Sequence, residues 1–114
     1  MKMRRYYECM NLERENSVPK VLIIQDVEGK NLLPARDHGE IEVILTGKEE
    51  KLVAYGRLAD RISMMRRNDF LLLIGNPIYI GIAMHVALTL LRGKINVLVW
   101  DRKSYKYNEE RIEL

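Results

Sequence analysis

The stretch from residue 71 to residue 93, LLLIGNPIYIGIAMHVALTLLRG, constrains the fold more than any other part of the sequence. It is apolar almost throughout, but Asn76 and Pro77 interrupt it. Asn is a preferred N-cap residue and Pro is favoured at the first helical position, so we expect a helix from Pro77 to Arg92 that stops at Gly93. The uninterrupted part is shorter than the roughly 20 residues of a membrane span. The stretch therefore predicts a buried strand, a turn and a helix.

The rest of the chain alternates between strand and helix patterns. A helical period of three or four residues runs through residues 48–68. Apolar or alternating runs bounded by turn residues predict strands at 21–26, 41–47, 69–75, 94–101 and 106–114. This order predicts a single α/β domain with a mostly parallel, Rossmann-like sheet of about five strands, two helices and a C-terminal antiparallel hairpin.

Length and composition limit the classes of protein that need to be considered. With 114 residues, 47% of them hydrophobic and 31% charged, the chain has the size and composition of one globular domain. We expect a polar N-terminal extension over residues 1–18, the domain over residues 19–114, and a cytoplasmic location, in the host if the protein is viral. One Cys and two His cannot form a zinc set, so we expect no metal and no cofactor. The many Glu, Lys and Arg residues favour a thermophilic source.

Polar residues follow the predicted parallel strands where such sheets bind ligands, beyond the strand carboxyl ends. The predicted ligand-binding residues are Asp26, Gly75, Asn76, Pro77, Asp101 and Arg102. A nucleotide or another phosphorylated ligand would place its phosphate on Asn76 and the following N–H groups, near Arg102, with ribose hydroxyls on Asp26 or Asp101. The turn is neither a Walker A loop nor a G-x-G-x-x-G motif, and a capped, buried helix without a ligand is the other interpretation. No set of catalytic residues can be assembled, which argues against an enzyme.

The predicted helix 77–92 is apolar nearly all round, so one sheet face cannot cover it. We expect its other side to form a homo-oligomer interface, in a dimer or a higher assembly. The predicted interface residues are Gly81, Ala83, His85 and Ala87. An assembly module that binds no ligand is one of the alternatives.

A second alternative is a protein that contacts DNA or RNA. The net charge is +3, and four arginines lie toward the outer side of the helix predicted over residues 48–68. These candidate nucleic-acid contacts are Arg57, Arg61, Arg66 and Arg67. Trp100 ends a predicted buried strand and is interpreted as a core residue, and His38 is interpreted as a surface loop residue.

Three stretches together resemble a family of small accessory proteins encoded by tailed phages and prophages: NLLPARDHGEIEVIL, DFLLLIGNPIYIGIAMHVAL and INVLVWDRKSYKYNEERIEL. The matching motifs are Leu33-Pro34-Ala35 with Gly39, Gly75-Asn76-Pro77 and Trp100-Asp101-Arg102. The resemblance covers about residues 20 to 114 and implies a viral or mobile-element origin rather than an activity. Asn76 stands where the family more often has Asp, which argues against a catalytic or metal-binding role there.

The order of elements is also similar, at the level of the fold, to the small ring nucleases and Rossmann-like sensor domains of CRISPR systems. Those proteins dimerise around a nucleotide second messenger. This likeness implies one more alternative, a phosphodiesterase with His85 or His38 in its site.

Overall fold

Five strands and two helices form from the segments whose apolar patterns predicted them. The structure, a computed structural model, describes residues 18–114. The predicted extension, residues 1–18, lies outside these residues except for Val18, which is exposed. In chain order the elements are β1 (Lys20–Gln25), a 3-10 helix (Leu33–Asp37), β2 (Glu40–Leu45), α1 (Lys51–Ser63), β3 (Phe70–Leu72), α2 (Pro77–Leu90), β4 (Lys94–Asp101) and β5 (Lys106–Glu113).

The strands form one mixed sheet in the order β2-β1-β3-β4-β5. β2, β1, β3 and β4 are parallel to their neighbours, and β5 pairs antiparallel with β4 over their full length. The strand that follows β1 in the chain, β2, lies on one side of it in the sheet, whereas the strand that follows β3, β4, lies on the opposite side of β3. The strand order therefore reverses between β1 and β3. The predicted α/β fold with a parallel sheet and a C-terminal hairpin is confirmed.

The two faces of the sheet are covered differently. α1 and α2 lie side by side on one face, over a core that includes Leu22, Leu58, Leu71 and Ala83. The opposite face, which we call the open face, carries a smaller cluster of Val21, Ile23, Phe70, Leu72, Leu98 and Tyr107. Among residues 18–114, neither α1 nor α2 lies on this face, and Ala35 of the 3-10 helix is buried against it. The side chains of this smaller cluster are nevertheless buried.

Two predicted elements are shorter than their patterns suggested by four residues or more. The strand predicted over residues 69–75 is limited to Phe70–Leu72, because the N–H of Ile74 turns back to the carbonyl of Leu72 at 2.9 Å. The helix predicted over residues 48–68 is limited to Lys51–Ser63. The 3-10 helix, which begins with a Leu-Pro pair, was not predicted.

Asp69 stabilises the loop between α1 and β3. Its carboxylate is nearly buried and accepts hydrogen bonds from the backbone N–H groups of Lys20 at 2.9 Å and Arg66 at 2.8 Å. The same carboxylate pairs with the guanidinium of Arg66 at 3.4 Å. Asp69 thus holds the start of β1 beside the start of β3. Within residues 18–114, neither helix has the length and apolar content needed to cross a membrane.

Candidate functional site at the carboxyl edge of the sheet

The point where the strand order reverses is occupied by the side chain of Gln25, the last residue of β1. Gly47, after β2, and Gly75, after β3, both have positive φ angles, of 94° and 141°. A Cβ atom on Gly47 would lie 2.2 Å from Nε2 of Gln25, and one on Gly75 would lie 2.7 Å from Cβ of Gln25. Both positions thus require glycine, for backbone conformation and for space. Gln25 fills the crevice in which open α/β sheets commonly bind ligands.

The turn before α2 is also occupied by contacts from the same chain. The N–H of Asn76 donates to Oε1 of Gln25 at 2.8 Å, and the side-chain oxygen of Asn76 accepts from the N–H of Ile78 at 2.9 Å. Pro77 has no N–H to donate. Among the described residues, these contacts leave the N–H of Tyr79 as the remaining donor of the first turn. The N-cap predicted at Asn76 is confirmed, and it uses the donors that a phosphate would need.

Glu49 fixes the loop that precedes α1 at the same edge. Its carboxylate accepts hydrogen bonds from the N–H groups of Thr46 at 2.9 Å and Gly47 at 2.9 Å, and it pairs with Arg57 at 2.9 Å. Burial raises the pKa of Glu49, but the hydrogen bonds from Thr46 and Gly47 outweigh burial and lower its pKa to about 2. The hydroxyl of Tyr79 donates to the carbonyl of Glu49 at 2.8 Å, which joins the first turns of the two helices.

Asp101 and Arg102 belong to the turn of the β4–β5 hairpin. The carboxylate of Asp101 accepts from the hydroxyl of Ser104 at 2.8 Å and from the N–H of Lys103 at 3.0 Å. These hydrogen bonds, led by that of Ser104, lower the pKa of Asp101. Arg102 is exposed. The six predicted site residues therefore fall into separate places: a turn filled by Gln25, the hairpin turn, and the exposed Asp26 after β1.

An accessible cavity of about 470 Å3 lies on the open face, beside the carboxyl ends of β3 and β4. Its floor and one wall are apolar side chains of β3, β4 and β5. The opposite wall is the loop after β1, which contributes Lys30 and Asn31. The lining includes Leu72, Ile74, Leu98, Trp100 and Tyr107. A larger depression of about 690 Å3 lies at the amino ends of β1 and β2, away from the edge where parallel sheets bind ligands.

Trp100 is the residue that sequence reasoning placed incorrectly. It was interpreted as a core residue, but its side chain is 38% exposed and lines this cavity. The ring of Trp100 makes edge contacts with the rings of Tyr107, at 5.0 Å between centroids, and Tyr105, at 6.4 Å. The pairing of Trp100 with Tyr107 across the hairpin follows from the register of β4 and β5. The signal that could have revealed this group was the placement of Trp100 near the end of one predicted strand and Tyr107 near the start of the next, on either side of a short hairpin turn.

His38 lies at the other end of the open face and is partly buried. Its Nδ1 atom is 2.7 Å from a carboxylate oxygen of Glu109, and its Nε2 atom is 2.9 Å from the carbonyl oxygen of Tyr107. A histidine beside a carboxylate resembles a catalytic pair, but a general base needs a free ring nitrogen. Both ring nitrogens of His38 have partners, so this arrangement holds structure together and gives no support to a phosphodiesterase.

The arginines proposed to contact nucleic acid are mostly paired with carboxylates of the same domain. Arg57 pairs with Glu49, and Arg61 forms an ion pair with Glu42 on the neighbouring edge strand β2. Arg66 pairs with Asp69, as described above, whereas Arg67 is exposed. The structure gives Arg57, Arg61 and Arg66 roles in the fold, and nucleic-acid binding stays a prediction.

The residues predicted to form an interface lie on two different faces of helix α2. Ala83 and Ala87 are completely buried in the core beneath the helix and present no surface to another copy, and the homo-oligomer interface stays a prediction. The helical period puts both alanines on the face that covers the sheet. Gly81 and His85 are on the exposed side, as is Ile78, which is 52% exposed.

The fold and the cavity define a small α/β protein with an accessible, partly aromatic cavity at the carboxyl edge of its sheet. Residues 19–114 match the model of the family described as Phage Pam3 gp32-like protein. Because this match covers most of the chain, the protein belongs to that phage protein family. No curated protein and no solved structure matches the chain. The predicted relationship to a small phage protein family is confirmed, and the likeness to ring nucleases stays a prediction.

Proposed function

We propose that this phage protein binds a nucleotide, or a similar ligand with a flat ring and a phosphate, in the cavity between the loop after β1 and strand β4. The observation that carries the proposal is the cavity itself. Its volume of about 470 Å3 falls within the range of about 300–1,000 Å3 that is usual for small-molecule sites. Its lining combines apolar and aromatic side chains with one cation, Lys30.

Each part of such a ligand has a matching surface. Leu72, Leu98 and Trp100 line the cavity, and the exposed ring of Trp100 offers an aromatic surface for a ring of the ligand. Lys30 supplies the charge that a phosphate requires, and Arg102, in the turn that follows Trp100, supplies a second cation at the same edge of the sheet. This proposal moves the site away from the turn at Asn76, whose donors are used by the helix cap and by Gln25.

Tryptophan fluorescence provides a direct test, because Trp100 is the only tryptophan in the chain. AMP should change the emission of Trp100 saturably, and adenosine should do so with weaker affinity because it lacks the phosphate. The Lys30→Ala variant should prefer AMP over adenosine by a smaller factor than the natural protein does. Lys48→Ala is the matched control, since Lys48 is an exposed lysine that follows β2 and does not line the cavity.

Two results would decide against the proposed site. Absence of saturable binding of mono-, di- and cyclic nucleotides at millimolar concentrations would reject the function. Binding that is lost in Asn76→Ala but unchanged in Lys30→Ala would return the ligand to the turn before α2.

A second proposal concerns assembly, and it rests on the composition of α2. None of the residues Pro77–Leu90 is charged, and Ile78, Gly81 and His85 are exposed on the outer side of the helix. An uncharged, partly apolar helix face is suited to contact with a second copy of the same face in a homodimer. Light scattering of the purified protein tests this proposal, and a monomer at tens of micromolar would reject it.

A further inference from the structure

The loop that forms one wall of the cavity is fastened to the opposite strand by His38. Residues 26–39 connect β1 to β2 across the open face, and they contain both Lys30, in the cavity wall, and the 3-10 helix. His38 ends this segment and contacts β5 through both of its ring nitrogens. We call these two contacts, from His38 to Glu109 and to the carbonyl of Tyr107, the His38 latch.

The partners of His38 determine which protons its ring must carry. A carbonyl oxygen only accepts hydrogen bonds, so Nε2 must donate its proton to Tyr107. An ionised carboxylate also only accepts, so Nδ1 must donate to Glu109. A neutral imidazole has one N–H and cannot make both donations. The complete latch therefore requires the imidazolium form of His38.

The latch ends on a residue of the cavity. Tyr107 accepts the His38 hydrogen bond through its backbone, while its buried ring lines the cavity and contacts Trp100. Ala35, three residues before His38, is buried against the sheet and keeps the segment in place between the latch and the cavity wall. The segment that contains His38 and the strand that contains Tyr107 thus both contribute residues to the lining of the cavity.

We propose that protonation of His38 controls the closure of the cavity wall: the segment 26–39 is held against β5 at low pH and is released as the pH rises and the ring loses a proton. Histidine is the side chain whose charge changes between about pH 5 and 8. Charged groups surround the ring region on several sides. They are Glu109, Glu110 and Arg111 from β5, Lys20 from β1, Glu40 and Glu42 from β2, and Arg36 and Asp37 from its own segment. Phe70 from β3 contacts the ring by its edge at 5.9 Å, and Asn68 and Asn96 line the same cavity beside it.

Two measurements test the latch in the absence of a ligand: NMR of the ring nitrogens and hydrogen exchange of the backbone amides. The chain has two histidines, and the exposed His85 serves as an internal reference that a His85→Asn variant assigns. Both ring nitrogens of His38 should be protonated at pH 5. The amides of Ala35 and His38, which close the 3-10 turns, should lose about tenfold in protection between pH 5 and pH 8, after correction for intrinsic exchange, as expected for the loss of a charge-assisted hydrogen bond. Core amides of β1 should show no such change.

Two variants separate the latch from other effects of pH. In His38→Gln, one amide donor replaces the titrating ring, so protection of the segment should become independent of pH. Glu109→Gln keeps an acceptor and removes its charge, and should lower the protection of the segment at pH 5, because the hydrogen bond loses its charged acceptor. A neutral His38 ring at pH 5, or a protection that does not change with pH in the natural protein, would overturn the proposal.

The effect on binding rests on the proposed function and has its own readout. Adenosine keeps its charge over this range, so its affinity, measured by Trp100 fluorescence, should fall about tenfold from pH 5 to pH 8 in the natural protein and remain constant in His38→Gln. Adenosine and AMP binding absent at every pH would reject the proposed function, while the NMR result would still support the latch. Binding that is present and equal at both pH values would overturn the control of the cavity by His38.

Discussion

The backbone N–H of Asn76 donates a 2.8 Å hydrogen bond to the side chain of Gln25, a residue 51 positions earlier in the chain. This contact joins the end of β1 to the first turn of α2. Gln25 also lies against Gly47 and Gly75, two glycines with positive φ angles, so its side chain lies between the loops that follow β2 and β3.

We expect Gly75→Ala to lower the free energy of unfolding by about 2 kcal/mol, since a methyl group would meet Gln25 and the backbone would be strained. Gly81→Ala is the matched control. Gly81 lies within α2 and has open space around its Cα, so alanine there should raise stability by about 0.5–1 kcal/mol. Urea denaturation measures both changes, and equal effects at the two glycines would contradict the role assigned to Gln25.

Glu49 should make the protein sensitive to acid. Its pKa is lowered to about 2 in the folded state, whereas an unfolded Glu has a pKa near 4.3. A lowered carboxylate pKa stabilises the fold above the unfolded value, and this contribution is lost as the pH falls from about 4.5 toward 2. Glu49→Gln should therefore reduce stability at pH 7 by about 1–2 kcal/mol and flatten its dependence on pH below 4.5. Glu50→Gln, at an exposed neighbour, should leave the pH profile of thermal unfolding unchanged.

Substitutions at exposed and at buried positions of α2 should have different effects on assembly and on folding. Gly81→Glu or His85→Glu should convert the proposed dimer to a folded monomer, because each introduces a charge at an exposed position of the contact face. Ala83→Glu should instead unfold the domain, since it buries an unpaired charge at a cost of several kcal/mol. Light scattering and circular dichroism distinguish these results. A folded, monomeric Ala83→Glu variant would show that Ala83 does not pack in the core.

Arg66 should matter for stability more than for binding. Arg66→Ala removes the guanidinium that faces the nearly buried carboxylate of Asp69 and should cost about 2 kcal/mol. Arg67→Ala, at an exposed position, should have little effect on the melting temperature. Salt-dependent DNA or RNA binding by the natural protein, lost in Arg67→Ala without loss of stability, would favour the nucleic-acid alternative instead.

The sequence by itself determined the elements and their order. Residues 94–101 form β4 with the predicted bounds, and the Asn76-Pro77 pair begins α2 as predicted. These features depend on local chemistry: an apolar run bounded by turn residues, an amide that caps its own helix, and a ring that fixes φ. Such preferences act over a few residues, so they can be inferred from neighbours in the chain.

The tertiary structure alone decided which side chains meet at the carboxyl edge of the sheet. Gln25 contacts the turn at Asn76 from a distance of 51 positions in sequence, and no local pattern predicts such a contact. The register of the hairpin likewise places Trp100 beside Tyr107, and the helical period turns Ala83 inward and Gly81 outward. Each of these outcomes depends on packing between segments that are remote in the chain, where the space left by one side chain is set by another.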